Sequence, residues 1–476
     1  MSGPPSGAEP PGTESAERAS PHPGALLAII LASYFIIVLD LSIVFTGLAS
    51  IRAEFELDTV GLSWVQNAYT LMFGGLLLLG ARAGDLLGRR RMFIVGIIVF
   101  AGSSLAIGLA PSGEWMIAAR AVQGAGAAVV APTALALLPA GFPREPGRTR
   151  AVAAYGSVAG LGAAFGLVLG GVLAGLASWR VGFIMNVPIG IVLIIAGMRV
   201  IAPSRRVPGS FDIAGAITST AGMTALVYGI TRSADSGWGD PVAVAALATG
   251  AVVLGLFLVV EWRARSPILP LRLFADRVRS GAFVARLFMN GSMLGYFFFM
   301  SQYLQGALGF SPVIAGLAFL PMSLLQFGSS ALVPRLTRRF GGPRLVVAGL
   351  VVTAAAQFWL SRAGEAPDYW SGIAVPMMLL GFGQGLAFAP MTAAGLRAVD
   401  PPLAGAASGL VNVAHQVGGA LGVSVLVAVA APFADSGIAV QTGAALAASS
   451  VLATVALAVS LAFIVSWRRP TPPLPR

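Results

Sequence analysis

The chain has 476 residues, of which 57% are apolar and 10% charged. Soluble domains carry about 25% charged residues, so this composition excludes a soluble globular fold and points to a membrane protein. The 30 basic residues are all arginine, the formal net charge is +11, and there is no cysteine, which rules out disulfides, iron–sulfur clusters and thiolate metal sites.

Residues 1–23 are rich in Pro, Gly, Ser and Glu and have no apolar run, so they read as a disordered cytoplasmic tail rather than a signal peptide. A hydrocarbon core about 30 Å thick takes about 20 helical residues to cross, and runs of that length recur along the whole chain. The apolar stretches between charged or Pro/Gly-rich breaks predict fourteen spanning helices. The first six fall at 25–50, 61–80, 93–110, 115–138, 151–176 and 181–200, the first doubling as insertion signal. Two more follow at 211–231 and 241–262, and the last six at 281–305, 312–333, 344–362, 370–396, 404–432 and 439–467. The expected fold is all-α and integral to the membrane. It comprises a six-helix bundle over 24–202, a linker with two extra transmembrane helices over 203–270, a second six-helix bundle over 271–468, and a short cytoplasmic tail over 469–476.

The arginines set the orientation. With the N-terminus inside, Arg89, Arg90, Arg91, Arg144, Arg148, Arg150, Arg205, Arg206, Arg263, Arg265, Arg335, Arg338 and Arg339 fall on the cytoplasmic side, and only Arg52, Arg180, Arg232 and Arg362 fall outside. This is a positive-inside bias. It accounts for the net charge without nucleic acid, and it places both termini in the cytoplasm.

The charged turn GARAGDLLGRRR, residues 80–91, lies between the second and third helices of the first six. It returns as LVPRLTRRFGGPR, residues 332–344, between the second and third of the last six. Six-helix halves related by a repeat are an architecture of secondary transporters, with the cargo cavity between the halves near mid-membrane.

Few residues within the helices are polar. Asp40 is the one acidic residue well inside a predicted helix, where low dielectric works against its ionised form, so it is a candidate proton site; the alternative is a capped, hydrogen-bonded residue near the outer end of the first helix. Arg120 is a fixed positive charge able to help expel that proton, or else it snorkels. Gln123 follows one turn later. Asp85 with Arg89 and Arg90 forms a candidate two-state lock at the charged turn, with Gly84 and Gly88 beside them. Gly162, Gly166 and Gly170 share one helix face and allow a close helix–helix approach, flanked by Gly171. In the second half, Asn290, Gln302, Tyr303, Gln305, Asn412, His415 and Gln416 are candidates for the cavity lining. Arg286, one turn before Asn290, reads equally as interfacial or as part of coupling. An imidazole ordinarily titrates near neutral pH, so His415 also carries a candidate proton role beside a purely structural one.

At these residues the chain resembles the major facilitator superfamily, and within it the fourteen-helix drug/proton antiporters of the drug:proton antiporter-2 family. GARAGDLLGRRR is similar to the superfamily's signature loop, RAVQGAGAA (120–128) to the fourth-helix motif, and GAAFGLVLGG (162–171) to the fifth-helix antiporter motif. SWRVGFIMNVPIG (178–190), FDIAGA (211–216), YLQGALGFSPVIAGLAFLP (303–321) and HQVGGALGV (415–423) are similar to further segments of that branch. Phe45, Ala49, Leu167, Val181 and Gly182 depart from the branch pattern. The resemblance implies that Arg120 couples proton movement to transport and that the Gly162–Gly166–Gly170 face joins the two halves at the outer gate.

The expected function is proton-coupled export of amphipathic small molecules, by a monomer in the cytoplasmic membrane that needs no cofactor beyond the proton gradient. One deep carboxylate favours monovalent, neutral or zwitterionic cargo over divalent cations. Export of a self-made metabolite or antibiotic is the alternative. The chain lacks GxxxxGK[ST] and HExxH and has two His, which argues against a nucleotide-driven pump or a metal-dependent membrane enzyme. The short loops offer no output module for a sensor.

Overall fold

The computed structural model describes residues 22–142, 147–203, 211–264, 267–365, 367–400 and 403–465, and among them the chain is helical, with no strand. The first six spans are α1 (Pro23–Phe55), α2 (Thr59–Leu87), α3 (Arg89–Gly108), α4 (Gly113–Gly141), α5 (Gly147–Leu176) and α6 (Trp179–Val200). The intervening pair is α7 (Ile213–Ser236) and α8 (Pro241–Arg263). The last six are α9 (Arg277–Gly306), α10 (Pro312–Phe340), α11 (Gly342–Leu360), α12 (Tyr369–Gly395), α13 (Ala404–Ala430) and α14 (Ile438–Val465). The expected tails, over 1–21 and 469–476, and most of the 205–212 linker lie outside the described residues, whereas Pro23, expected in the first tail, already opens α1.

Local chemistry starts these helices where the sequence breaks. Asp58, Ser112, Ser178, Asp212, Asp240, Asp276, Ser311 and Asp368 each stand just before a helix and accept a backbone N–H from its first turn. Short polar side chains do this well, because the first four N–H groups of a helix have no internal partner. The duplicated charged turn is also visible in the backbone. Gly88 (φ 97°, ψ 127°) opens α3 and Gly341 (φ 84°, ψ 145°) opens α11. A side chain at either position would be strained, so glycine is required at the same point of both halves.

The halves meet along three seams, α2 against α13, α5 against α10, and α1 against α9. The extra pair is not peripheral. α7 packs on both α2 and α13, and Ser424 of α13 receives hydrogen bonds from Asn67 of α2 (2.8 Å) and Thr231 of α7 (3.0 Å). α8 lies outside α7, with Val252 71% and Trp262 75% exposed. That surface fits lipid, which needs no polar covering.

Candidate functional site

Asp40 lies near the middle of the 33-residue α1, deeper than the outer-end position considered above, because the helix runs on to Phe55. Arg120 of α4 reaches it, with Nη1 to Oδ2 at 2.7 Å and both side chains fully buried. Gln123 Nε2 donates to the other carboxylate oxygen at 2.8 Å, and Gln123 Oε1 accepts from Arg120 Nη1 at 2.6 Å. Arg120 Nε donates to the Val65 carbonyl at 3.1 Å, and the guanidinium stands 4.2 Å from the centre of the Tyr69 ring. Three helices of one half, α1, α2 and α4, therefore wrap one ion pair.

Besides Tyr69, two members of this site escaped sequence reasoning. Asn186 of α6 donates to Asp40 Oδ1 at 2.9 Å, and Ser104 of α3 accepts from Gln123 Nε2 at 2.7 Å. Asn186 carried a signal, an amide inside the apolar SWRVGFIMNVPIG segment. Ser104 carried none, since a lone Ser in a helix usually bonds its own backbone, as this one also does to Phe100. The cluster buries a carboxylate, a guanidinium and two amides beyond reach of water. Such a site persists only if its charges are paired and hydrogen-bonded. The Arg120 Nη2, Asn186 Oδ1 and Tyr69 hydroxyl atoms remain without partners.

The charged turn closes on its own half. Asp85 pairs with Arg89 at 3.2 Å, Arg89 Nη1 donates to the Ala136 carbonyl of α4 at 3.0 Å, and Arg90 Nη2 donates to the Met198 carbonyl of α6 at 2.6 Å. Arg90 at one of the last carbonyls of α6 satisfies a group that has no internal partner and opposes the helix dipole. Gly84 is buried beside Thr133, where a built Cβ would sit 3.2 Å from its hydroxyl.

The glycine stripe of α5 requires a correction. Gly162, Gly166 and Gly170 pack against Val38, Leu39 and Ile43 of α1, in their own half, and do not join the two halves. Gly171, on the adjoining face, meets Pro312 and Gly316 of α10 in the other half. A stripe with four-residue spacing faces one neighbour, and the next residue around the helix faces another.

The second-half candidates separate. Gln302 Oε1 accepts from Arg52 of α1 at 3.4 Å, Gln305 Nε2 donates to the Thr46 carbonyl at 3.3 Å, and Ser301 donates to the Phe45 carbonyl. Phe297 stacks on Phe45 at 5.4 Å. Gln302 and Gln305 thus stitch α1 to α9 at the end of the bundle that carries the α1–α2 turn. Tyr303 bonds the Gly364 carbonyl at 2.6 Å. Near the same end Arg180 and Trp179 of α6 hold Glu54 of α1 at 2.5 and 2.7 Å. Asn412 is spent on Ser408 of its own helix, and Gln416 lies in the α2–α13 seam against Gly74. Asn290 donates to the His415 carbonyl, and Arg286 is buried within the protein at 4% exposure.

Two pseudo-equivalent helical bundles, closed on each other at one end and holding a buried ion pair in one half, have the architecture of a membrane transporter. The chain belongs to the major facilitator superfamily, whose family model matches residues 30–423. It is 40% identical over 425 residues to the cephamycin export protein CmcT of Amycolatopsis lactamdurans, covering 88% of this chain and 87% of that one. It is also 40% identical over 421 residues to the puromycin resistance protein pur8 of Streptomyces alboniger, with 87% and 83% covered. The tetracenomycin C resistance and export protein of Streptomyces glaucescens is 32% identical over 408 residues, with 85% and 75% covered. Among solved structures, a bacterial homolog of the human lysosomal transporter Spinster superposes with a TM-score of 0.69 at 14% identity, covering 94% of this chain and 98% of that one. A peptide transporter of the POT family does so with a TM-score of 0.69, also at 14% identity, covering 93% and 95%. At those identities the likeness speaks for the fold alone.

Proposed function

We propose that this transporter is a proton-coupled exporter of amphipathic small molecules, antibiotics among them, working by alternating access as a monomer in the cytoplasmic membrane with both termini inside. The observation that carries the coupling is the Asp40–Arg120 pair with its collar of Gln123 and Asn186. A buried carboxylate held by a guanidinium that cannot usefully deprotonate has two states. In one it is ionised and paired; in the other it is protonated, and the arginine turns to its remaining acceptors, the Val65 carbonyl and Gln123. The two states differ by one charge in low dielectric, which is enough to bias the packing of four helices. Kinship to proteins named for antibiotic export and resistance supports the direction of transport and the kind of cargo. The arginine asymmetry supports the orientation. On that orientation the α1–α9 stitching closes the outer end, and the conformation is closed outward.

The test is dye uptake into everted vesicles energised by a pH gradient. Wild-type uptake that collapses with a protonophore, and is lost in Asp40→Asn while the protein remains folded, supports the reading. Full gradient-driven uptake by Asp40→Asn overturns it. Dedicated export of one self-made compound is the second reading, supported by CmcT, an export protein named for a single antibiotic. A single cargo in a broad substrate screen would favour it.

A further inference from the structure

The second half contains a buried cation with no counter-charge. Arg286 is 4% exposed and donates to Thr392 Oγ1 at 2.8 Å and to the Phe388 carbonyl at 3.4 Å, while its guanidinium lies 3.7 Å from the centre of the Phe388 ring. All of these partners are neutral, and its Nε has none. Arg286 belongs to none of the ion pairs Arg89–Asp85, Arg120–Asp40, Arg180–Glu54 and Arg232–Asp240. An uncompensated charge at this depth is costly, and its retention calls for a ligand.

Further unspent polar atoms stand beside it. Asn290, one turn on and 2% exposed, uses its amide N–H on the His415 carbonyl and leaves Oδ1 without a partner. His415 Nδ1 is buried and unpartnered, its ring set edge-on to Phe388 at 5.8 Å. From the other half, Tyr34 of α1 stacks on Tyr155 of α5 at 4.2 Å, with the rings 13° from parallel. The level is consistent from both sides. Tyr34 precedes Phe45 by 11 residues (45 − 34) and Arg286 precedes Phe297 by 11 (297 − 286), so both lie roughly 16 Å along their helices from the Phe45–Phe297 closure, at about 1.5 Å per residue.

We infer that Arg286, with His415, is the subsite for a carboxylate on the exported molecule, whose flat aromatic body lies against the Tyr34–Tyr155 stack and whose neighbouring hydroxyl or N–H is taken by Asn290 Oδ1. A guanidinium presents two N–H groups in the geometry a carboxylate accepts, and an imidazole N–H supplies a third donor. The Asp40–Arg120 pair is neutral within its own half, so the two sites divide the work, one handling the proton and the other the anionic end of the cargo. This inference rests on the exporter reading and makes acids and zwitterions the better-held cargo.

The test uses two dyes that differ at one group, rhodamine 110 with a free carboxylate and rhodamine 123, its methyl ester. Uptake is measured into proteoliposomes holding the full chain, with an acidic lumen and an ionophore control. Arg286→Gln should reduce rhodamine 110 uptake about tenfold, the loss of one charge-assisted contact, and leave rhodamine 123 within about twofold. Arg286→Lys should restore part of the difference, because it keeps the charge but not the paired donors. Equal losses for both dyes in Arg286→Gln, or no change in either, overturn the subsite and leave the exporter reading standing. A wild-type chain that moves neither dye overturns the multidrug reading, and the subsite with it.

Discussion

Arg120 Nη1 stands 2.7 Å from Asp40 Oδ2, with both side chains at zero exposure, and 80 residues of sequence separate the two. Removing one partner strands the other charge. Asp40→Asn should therefore lower stability by about 3–5 kcal/mol, as should Arg120→Gln, and the double substitution should recover most of that loss while leaving gradient-driven transport abolished. Thermal unfolding of the detergent-purified chain, set beside vesicle uptake, measures both. Coupling retained in the double variant would refute the assigned roles.

Asn186 supplies the second side-chain amide on Asp40 and also reaches Ser104 at 3.3 Å. Asn186→Leu should cost about 1–3 kcal/mol, because it leaves buried oxygens short of a donor. It should also reduce gradient-driven uptake more than uptake down a cargo gradient. A variant with wild-type stability and coupling would show that Asn186 is packing alone.

Gly171 and Gly162 separate two kinds of helix contact. Gly171→Leu would drive a side chain into Pro312 and Gly316 of the other half, so it should hold the expected outer end open. The same end would then become reactive to an impermeant thiol reagent at a reporter cysteine placed at Gln305. Gly162→Ala meets Val38 at 3.1 Å and Phe35 at 3.5 Å, both of its own half. It should leave that reactivity unchanged and cost at most about 1 kcal/mol of stability, within the range of mild core overpacking.

Glu261, 3% exposed, accepts the Leu269 N–H at 2.9 Å, and its other oxygen is buried with no donor, as is Asp212 Oδ2. Glu261→Gln supplies an N–H in the same shape and should be neutral or stabilising. Glu261→Leu orphans the Leu269 N–H and should cost about 1–3 kcal/mol. Paired melting curves decide this, and a large loss in Glu261→Gln would contradict it.

Asp240 lies in the turn between α7 and α8, where the hydrogen bond from Arg232 holds its carboxyl below the usual range, helped by the backbone N–H of Ala243. A depressed carboxyl contributes stability that is fully present above its unfolded value, about 4, and is lost as pH falls through the lower folded value. The melting-temperature difference between wild type and Asp240→Asn should thus hold constant from neutral pH down to about 5 and shrink below about 4. A difference that grows on acidification would reverse the sign and exclude the pairing.

Much of this molecule was legible in the residues. The fourteen spans follow from hydropathy, because a helix is the one open-ended structure that satisfies its own backbone in lipid. Asp40, Arg120 and Gln123 stood out as polar groups in apolar runs, and the structure brings all three together. Partnership was harder to read. Asn186 joins them because α6 turns that face toward α1, and a single helix does not encode which neighbour it will meet. The same gap misplaced the glycine stripe, whose spacing announces a close approach without naming the helix approached. Gln302 and Gln305 read as cavity lining, whereas their amides hold α1, since two parallel helices that touch there leave no space between them.

The sequence by itself determined that the chain crosses a membrane many times, where its helices start to within four residues, and that the design is duplicated down to a glycine in each charged turn. These are short-range consequences of transfer free energy, capping and backbone sterics. Only the tertiary structure decided which buried charges cancel and which stand alone. Arg120 meets a carboxylate and Arg286 does not, and that difference depends on helix rotation and proximity at distances of a few ångströms.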